Sequence, residues 1–273
     1  MRNIEHPEIK LVVFDWAGTT VDFASTAPVA AMARSFLERG IEISSAQIRA
    51  PMGLGKKDHL RALLAIPEIA NRWFAKYGQM ANEADLQEIY DRYQQIQMES
   101  LENHGELLPH VLEITADLRQ RKIALATTSG YFRKAMTRVA EIAREQGYSP
   151  DAIYCPDDFP AGRPEPWMIF RAMEQFRIYP SYQVLKVGDT IPDIAEGKNA
   201  GVWTAAVFST SNEIGYSWQE FQSLSPEMQQ TRIASARCIL ESGRPDGLLL
   251  SLAELPAFID KLNQQMSLGM RPS

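Results

Sequence analysis

Residues 9–20 read IKLVVFDWAGTT, an apolar run rich in β-branched residues that stops at Asp15 and enters a turn containing Gly18. This pattern predicts a buried strand that leads into a loop. Similar apolar runs recur later in the chain, at residues 123–128, 184–187, 202–207 and 247–251.

Amphipathic helical patterns lie between and after these strands, at residues 112–121, 132–146, 167–176 and 252–262. Strands that alternate with helices indicate a parallel sheet covered on both faces. We therefore predict an α/β fold with a Rossmann-like core.

One segment interrupts the alternation, because no strand pattern is found between residues 28 and 103. Helical patterns occupy residues 28–39, 56–64, 67–77 and 83–102. We predict an α-helical cap domain at residues 25–103, inserted into a core domain formed by residues 1–24 and 104–273. The two hinges are expected near residues 22–26 and 104–107.

The composition is that of an ordinary globular protein, with 273 residues, 45% of them apolar and 23% charged. A net charge of −6 without a basic stripe argues against a nucleic-acid partner, and the apolar runs are too short to span a membrane. The N-terminus lacks the pattern of a secretory signal. Together with only two cysteines, Cys155 and Cys238, expected to be buried structural thiols, this predicts a reduced cytoplasmic protein.

Polar residues follow the apolar runs at three places, Asp15, Ser129 and Asp189. Ligands of parallel α/β sheets bind at the carboxyl ends of the strands, so these side chains are candidates for one site. A single such residue could equally be a helix cap or a turn residue.

The stretch DWAGTTVD at residues 15–22 and the stretch GDTIPD at residues 188–193 resemble the first and fourth motifs of the haloacid dehalogenase superfamily. The resemblance implies that Asp15 is the nucleophile and that Asp15, Asp189 and the backbone carbonyl of Ala17 bind Mg²⁺. Asp193 would orient this metal site from outside it. A divalent cation is also physically reasonable, because a carboxylate and a phosphonate dianion repel each other.

The same resemblance implies two further phosphoryl-binding groups. Ser129, with the Gly130 amide beside it, would hold a phosphoryl oxygen, and Arg163 in the loop PAGRP at residues 160–164 would supply a cation. Ser129 could instead cap the next helix, and Arg163 could be a solvated loop residue.

The residue two places after the nucleophile is Ala17, where phosphomonoesterases of the superfamily usually carry an Asp that protonates the leaving alkoxide. The leaving group must then be activated in another way. The stretch PMGLGKKDH at residues 51–59 contains Lys56 near a predicted helix start and beside Lys57, and both influences favour a neutral amine.

These stretches resemble the phosphonatase family. The resemblance continues along nearly the whole chain, through TSGY at residues 128–131, PDD at 156–158, PAGRP at 160–164 and NAG at 199–201. The resemblance implies hydrolysis of the carbon–phosphorus bond of phosphonoacetaldehyde, in 2-aminoethylphosphonate degradation, with Lys56 forming a Schiff base and Asp15 a phospho-aspartyl intermediate. The residues alone leave open whether Lys56 or Lys57 is the amine. Homodimerisation through the cap is implied as well.

Four other residues are candidates at the same site. His59 lies three residues after Lys56 on the predicted helix and could transfer protons, or it could be structural. Met52, Tyr131 and Ser25 would contact the substrate by resemblance, although Met52 could be a core residue and Tyr131 an aromatic that flanks the next helix.

Two other functions remain as alternatives. The first is another hydrolase of the superfamily, either a Mg²⁺-dependent phosphatase for a related small substrate or a dehalogenase. Ala17 and Lys56 argue against the phosphatase, and the carboxylates Asp189 and Asp193 argue against a metal-free dehalogenase. The second is a non-catalytic binding protein on this fold, which the presence of Asp15 and Asp189 disfavours.

Overall fold

The core of the molecule is a parallel β-sheet. The computed structural model describes residues 7–101 and 104–273, and within these ranges six strands form one sheet in the order β3-β2-β1-β4-β5-β6. The strands are β1 (Leu11–Phe14), β2 (Ala124–Thr128), β3 (Ala152–Tyr154), β4 (Val184–Gly188), β5 (Trp203–Val207) and β6 (Gly247–Leu249). The predicted parallel sheet is confirmed.

Strand β1 lies in the middle of the sheet, between β2 and β4. Leu11 pairs with Ala124 on one side and with Val184 on the other. Val12 and Phe14 belong to one apolar cluster, whereas Leu11 and Val13 belong to a second cluster. Because successive side chains of a strand point to opposite faces, β1 is anchored in a core on each face of the sheet.

Helices cover the sheet and form the inserted segment. They are α1 (Thr26–Leu37), α2 (Ser45–Arg49), α3 (Lys56–Leu64), α4 (Pro67–Tyr77), α5 (Glu83–Ser100), α6 (Val111–Gln120), α7 (Arg133–Glu145), α8 (Trp167–Phe176), α9 (Ile191–Asn199), α10 (Trp218–Ser223), α11 (Pro226–Ser242) and α12 (Leu255–Ser267).

Several elements had not been predicted, namely β3, α2, α9, α10 and α11. Strand β3 has only three residues, too few for a period to show. Helix α11 buries only Ala236 and Leu240, so it carries no apolar stripe. The helix predicted to end at residue 102 ends at Ser100, and residues 102 and 103 lie outside the described part of the chain.

The inserted segment is entirely helical where it is described, and α5 packs against both α1 and α3. The two connections to the core run side by side, because Val21 bridges Leu107 in antiparallel orientation. Asp22, Ala24 and Ser25 have positive φ angles in the first connection. The domain boundaries at residues 25 and 103 stay a prediction.

The thiols differ from expectation in one respect. Cys155 is buried as predicted, but Cys238 is exposed because it lies on the solvent side of α11. Neither forms a disulfide. Among the helices of the described residues, none combines the length and the apolar character needed to cross a membrane.

Candidate active site

The loop after β1 places Asp15 at the carboxyl edge of the sheet. The Asp15 amide donates to the Val187 carbonyl of β4 at 2.8 Å, which extends the strand pairing to the nucleophile position. Gly18 follows with a φ of +83°, and a Cβ atom on it would lie 2.2 Å from the Oδ2 atom of Asp189. Glycine is therefore required for the first and fourth motifs to come together.

Three buried aspartates converge at this edge. Oxygen atoms of Asp15, Asp189 and Asp193 lie within 4.8 Å of one another. Asp189 accepts hydrogen bonds from the Thr19 hydroxyl at 3.1 Å and from the Asn212 amide at 2.8 Å. Burial, reinforced by the charges of Asp15 and Asp193, raises the pKa of Asp189 well above its usual range.

Arg163 is buried beside the aspartates, so it is not the solvated loop residue considered as an alternative. Its guanidinium lies 2.7 Å from Asp15, 2.7 Å from Asp193 and 3.0 Å from Glu196. Burial alone would lower the pKa of Arg163, but the three carboxylates outweigh it and raise that pKa. The cation is thus permanently charged next to the nucleophile.

A second buried cation, Lys186, had not been predicted as part of the site. Its Nζ atom lies 3.0 Å from Asp193, 3.2 Å from Glu196 and 2.7 Å from the Thr128 hydroxyl. Two signals were present in the sequence, because Lys186 interrupts an apolar strand and Glu196 lies three residues after Asp193 on α9. The ion pair between Lys186 and Glu196 joins β4 to α9.

The charges of this cluster leave a place for a cation. With Glu196, four buried carboxylates face two buried cations, Arg163 and Lys186. Within residues 7–101 and 104–273, no basic side chain forms an ion pair with Asp189. A hard divalent cation would balance negative charge that Arg163 and Lys186 leave, and carboxylate oxygens suit it. Asp193 is already bound by Arg163 and Lys186, which fits a role outside the metal shell.

The cap loop before α3 brings Lys56 to the same place. Lys56 is buried, with its Nζ atom 3.7 Å from the Met52 sulfur and 5.4 Å from the centroid of the Tyr131 ring. Burial lowers the pKa of Lys56 to about 8, against the opposing charge of Asp15. Burial is the largest cause of this shift, and the nearby cation that also lowers the pKa of Lys56 is Arg163. Lys57 points elsewhere and donates to Gln87 at 2.6 Å.

Two glycines allow the cap loop to lie directly on the core. A Cβ atom on Gly53 would lie 2.3 Å from the Thr190 hydroxyl oxygen, and one on Gly130 would lie 2.5 Å from the Leu54 carbonyl oxygen. The Lys56 amide also donates to the Gly130 carbonyl at 3.2 Å. The structure is therefore closed at this site.

A small cavity lies between the cap loop and the core. Nine of the predicted residues line it: Asp15, Ala17, Ser25, Met52, Lys56, Ser129, Gly130, Tyr131 and Arg163. Pro28, Gly53 and Thr190 complete the lining. Residues that are distant in the sequence thus meet around one cavity.

Ser129 and His59 need separate description. The Ser129 hydroxyl oxygen accepts from the Tyr131 amide at 3.1 Å and does not cap α7, so its proton is free to donate to an anion. His59 is buried, with its Nε2 atom 2.7 Å from the Ile48 carbonyl oxygen, and it is absent from the cavity lining. Burial and the charge of Lys56 lower its pKa to about 3, so the ring is neutral. Its role in proton transfer stays a prediction.

The fold and this cluster agree with a match between residues 9–201 and the haloacid dehalogenase-like hydrolase family. The chain is therefore a hydrolase of that class. A solved β-phosphoglucomutase from Clostridium difficile has the same fold, with a TM-score of 0.68, 13% identity and coverage of 95% of this chain and 99% of that one.

Relatives with higher sequence identity to this chain define its family within that class. Phosphonoacetaldehyde hydrolases from Bacillus thuringiensis subsp. konkukian and Bacillus cytotoxicus are 38% and 40% identical, each covering 94% of this chain and 98% of the relative. A solved phosphonoacetaldehyde hydrolase-like protein from Oleispira antarctica is 33% identical, with a TM-score of 0.94 and coverage of 100% and 99%. The chain belongs to the phosphonoacetaldehyde hydrolase family.

Proposed function

We propose that this enzyme hydrolyses the carbon–phosphorus bond of phosphonoacetaldehyde, through an imine on Lys56 and an acyl phosphate on Asp15. The observation that carries the proposal is the presence of a buried amine and a buried carboxylate on the wall of one small cavity. The names of the relatives support the substrate.

In the first step, the neutral Lys56 amine attacks the aldehyde carbon, and loss of water gives a protonated imine. A pKa of about 8 leaves a usable fraction of the amine neutral near pH 7. Burial removes the Lys56 amine from water, and the Met52 sulfur at 3.7 Å is only a weak hydrogen-bond acceptor, so the charged form is disfavoured.

In the second step, a carboxylate oxygen of Asp15 attacks phosphorus while the carbon–phosphorus bond breaks. The electron pair of that bond moves into the protonated imine and forms an enamine on Lys56. Arg163 neutralises charge beside Asp15, and the Ser129 hydroxyl is available to a phosphonate oxygen.

In the last steps, protonation of the enamine carbon restores the imine, and water releases acetaldehyde and the free Lys56 amine. A second water hydrolyses the acyl phosphate of Asp15 and releases phosphate. No group at position 17 has to protonate a leaving oxygen, which is why Ala17 is compatible with this reaction.

We propose Mg²⁺ as the cofactor, held by Asp15, Asp189 and the backbone carbonyl of Ala17. When bound, it would offset the repulsion between the nucleophile and the phosphonate. Asp193 would act through Arg163 and Lys186, which it already contacts at 2.7 Å and 3.0 Å.

A second candidate is a phosphatase for another small substrate. The carboxylate cluster alone would suit it, but it would leave the burial of Lys56 unexplained and would lack an acid at Ala17. The position of Lys56 therefore favours phosphonate cleavage.

Borohydride trapping tests the proposal. Added during turnover of phosphonoacetaldehyde, borohydride should reduce the imine to a secondary amine and inactivate the protein, and peptide mapping should place the added mass on Lys56. Lys56→Arg should escape labelling and lose most activity, since a guanidinium stays protonated.

Lys57→Arg is the matched control and should be labelled normally, because Lys57 contacts Gln87 outside the cavity. Labelling at Lys57 would move the imine by one residue. Release of phosphate without labelling of any lysine would disprove the imine.

We also propose a homodimer formed through the cap. Phe74 and Met80 are 53% and 57% exposed, and Leu37 is 56% exposed at the end of α1. Tyr77 donates to the Arg39 carbonyl at 3.1 Å, so the end of α4 lies next to the segment that follows α1. Sedimentation of wild type and Phe74→Asp should show a dimer and a monomer, respectively; two equal masses would refute this interface.

A further inference from the structure

Arg49, the last residue of α2, connects three parts of the molecule. Its Nη1 atom lies 2.5 Å from the Ala24 carbonyl oxygen in the first hinge. The same nitrogen lies 2.9 Å from the backbone carbonyl oxygen of Asn212 and 3.0 Å from its side-chain oxygen, both in the loop after β5. One cap residue therefore bonds the hinge and the core.

Asn212 is fully buried and returns the contact. Its side-chain nitrogen donates to the Arg49 carbonyl at 3.2 Å, so the two residues bond each other in both directions. Its backbone amide donates to Asp189 at 2.8 Å. The residue that Arg49 binds is therefore hydrogen-bonded to a candidate metal ligand.

The position of Arg49 gives this contact a mechanical consequence. Met52 and Gly53 follow three and four residues later and carry the chain over the core loops to Lys56. Movement of the cap about its hinges would separate Arg49 from Asn212, since Arg49 belongs to the cap and Asn212 to the core. It would also break the bond from the Lys56 amide to Gly130.

We propose that Arg49 and Asn212 form a latch that holds the cap loop closed over the cavity and ties closure to the placement of Asp189. Both are positioning residues, since neither lines the cavity. The inference rests on the proposed function only where it takes Lys56 as the group that closure delivers.

Hydrogen–deuterium exchange of the full-length protein, without substrate, tests the latch directly. Arg49→Met removes the donors but keeps most of the aliphatic stem. We expect the amides of residues 53–58, which include the Lys56 amide, to exchange about tenfold faster than in wild type. Arg39→Met is the matched control, because Arg39 pairs with Glu88 within the cap and should leave this exchange unchanged.

A double-mutant cycle tests whether the two residues act together. Asn212→Ala alone should also accelerate exchange, but it should add nothing in the Arg49→Met background. Full additivity, or normal exchange at residues 53–58 in Arg49→Met, would overturn the latch. If Arg49→Met fails to fold, Arg49→Lys and Asn212→Ala provide the same measurement.

The link to the proposed chemistry has its own readout. With borohydride and phosphonoacetaldehyde, Arg49→Met should be labelled about tenfold more slowly than wild type, with Arg49→Lys in between. Labelling at the wild-type rate would overturn the latch and leave the imine intact. Absence of labelling in wild type would refute the imine, while the exchange experiment would still decide the latch.

Discussion

Arg163 donates a hydrogen bond to Asp15, with its Nη2 atom 2.7 Å from Oδ1. The other side of the same guanidinium is bound by Glu196, whose Oε2 atom lies 3.0 Å from Nε. Glu196, on α9, thus helps to orient Asp15 through the Arg163 guanidinium that both carboxylates bind.

Replacing the nucleophile tests the centre of this arrangement. Asp15→Asn should lower phosphate release by more than about 1,000-fold, because an amide is neither a nucleophile nor a good metal ligand. The similar side-chain size should preserve the fold, as measured by circular dichroism. A folded variant with near wild-type turnover would rule out attack by Asp15.

Replacing Glu196 tests the buried support. Glu196→Gln removes the negative charge that Arg163 and Lys186 share, so the free energy of unfolding should fall by about 3 kcal/mol in urea denaturation. The value of kcat should fall more than KM changes, because Arg163 would lose its alignment with Asp15. Glu99→Gln is the control, since Glu99 pairs with Arg34 at the surface, and stability there should hardly change. Equal losses in both variants would contradict this role.

The pKa of Lys56 predicts the pH dependence of the first step. Only the neutral amine attacks the aldehyde, so the rate of phosphate release at low substrate should rise with pH and level off above a pKa of about 8. The profile is best measured between about pH 6 and pH 10, with Lys57→Arg as a variant expected to share it. An inflection near the ordinary lysine value of 10.5 would show that Lys56 is not held in a desolvated site.

Metal removal should lower both stability and activity. Added Mg²⁺ should raise the melting temperature of chelator-treated protein. At a free Mg²⁺ concentration of 100 times the dissociation constant, the free energy of unfolding should rise by about 2.7 kcal/mol. Asp189→Asn should abolish this rise because it removes a ligand. The variant should also be no less stable than the metal-free wild type, since Asp189 is a buried carboxylate whose pKa burial and like charges raise. A metal-independent melting temperature and full activity in chelator would argue for a metal-free mechanism.

The sequence contained enough information for the fold class and for most of the cavity wall. The apolar run that ends at Asp15 is local, and so is the GDTIPD stretch that contains Asp189 and Asp193. The carboxyl ends of parallel strands lie at one edge of a sheet, so Asp15 and Asp189 were expected at the same edge. The pairing of β1 with β4 makes them neighbours there. Ala17, Lys56 and Arg163 could be named from family motifs, and all three line the cavity.

Other features could be seen only in three dimensions. A single lysine in an apolar strand does not reveal that its partners are Thr128 on β2 and Glu196 on α9. In the same way, Arg49 gives no sequence signal for its contact with Asn212, which lies 163 residues away. Spacing alone left Lys56 and Lys57 equivalent until their surroundings were known.

The physical reason for this division is the range of the interactions involved. Strand formation and turn geometry depend on side chains and glycines that are neighbours in the chain, so residues 9–20 were sufficient to predict β1 and its loop. Burial, pKa and charge pairing depend on which distant elements exclude water from a group. Only the folded cap and core together make Lys56 a buried amine, and only they leave Asp189 without a basic partner among the described residues.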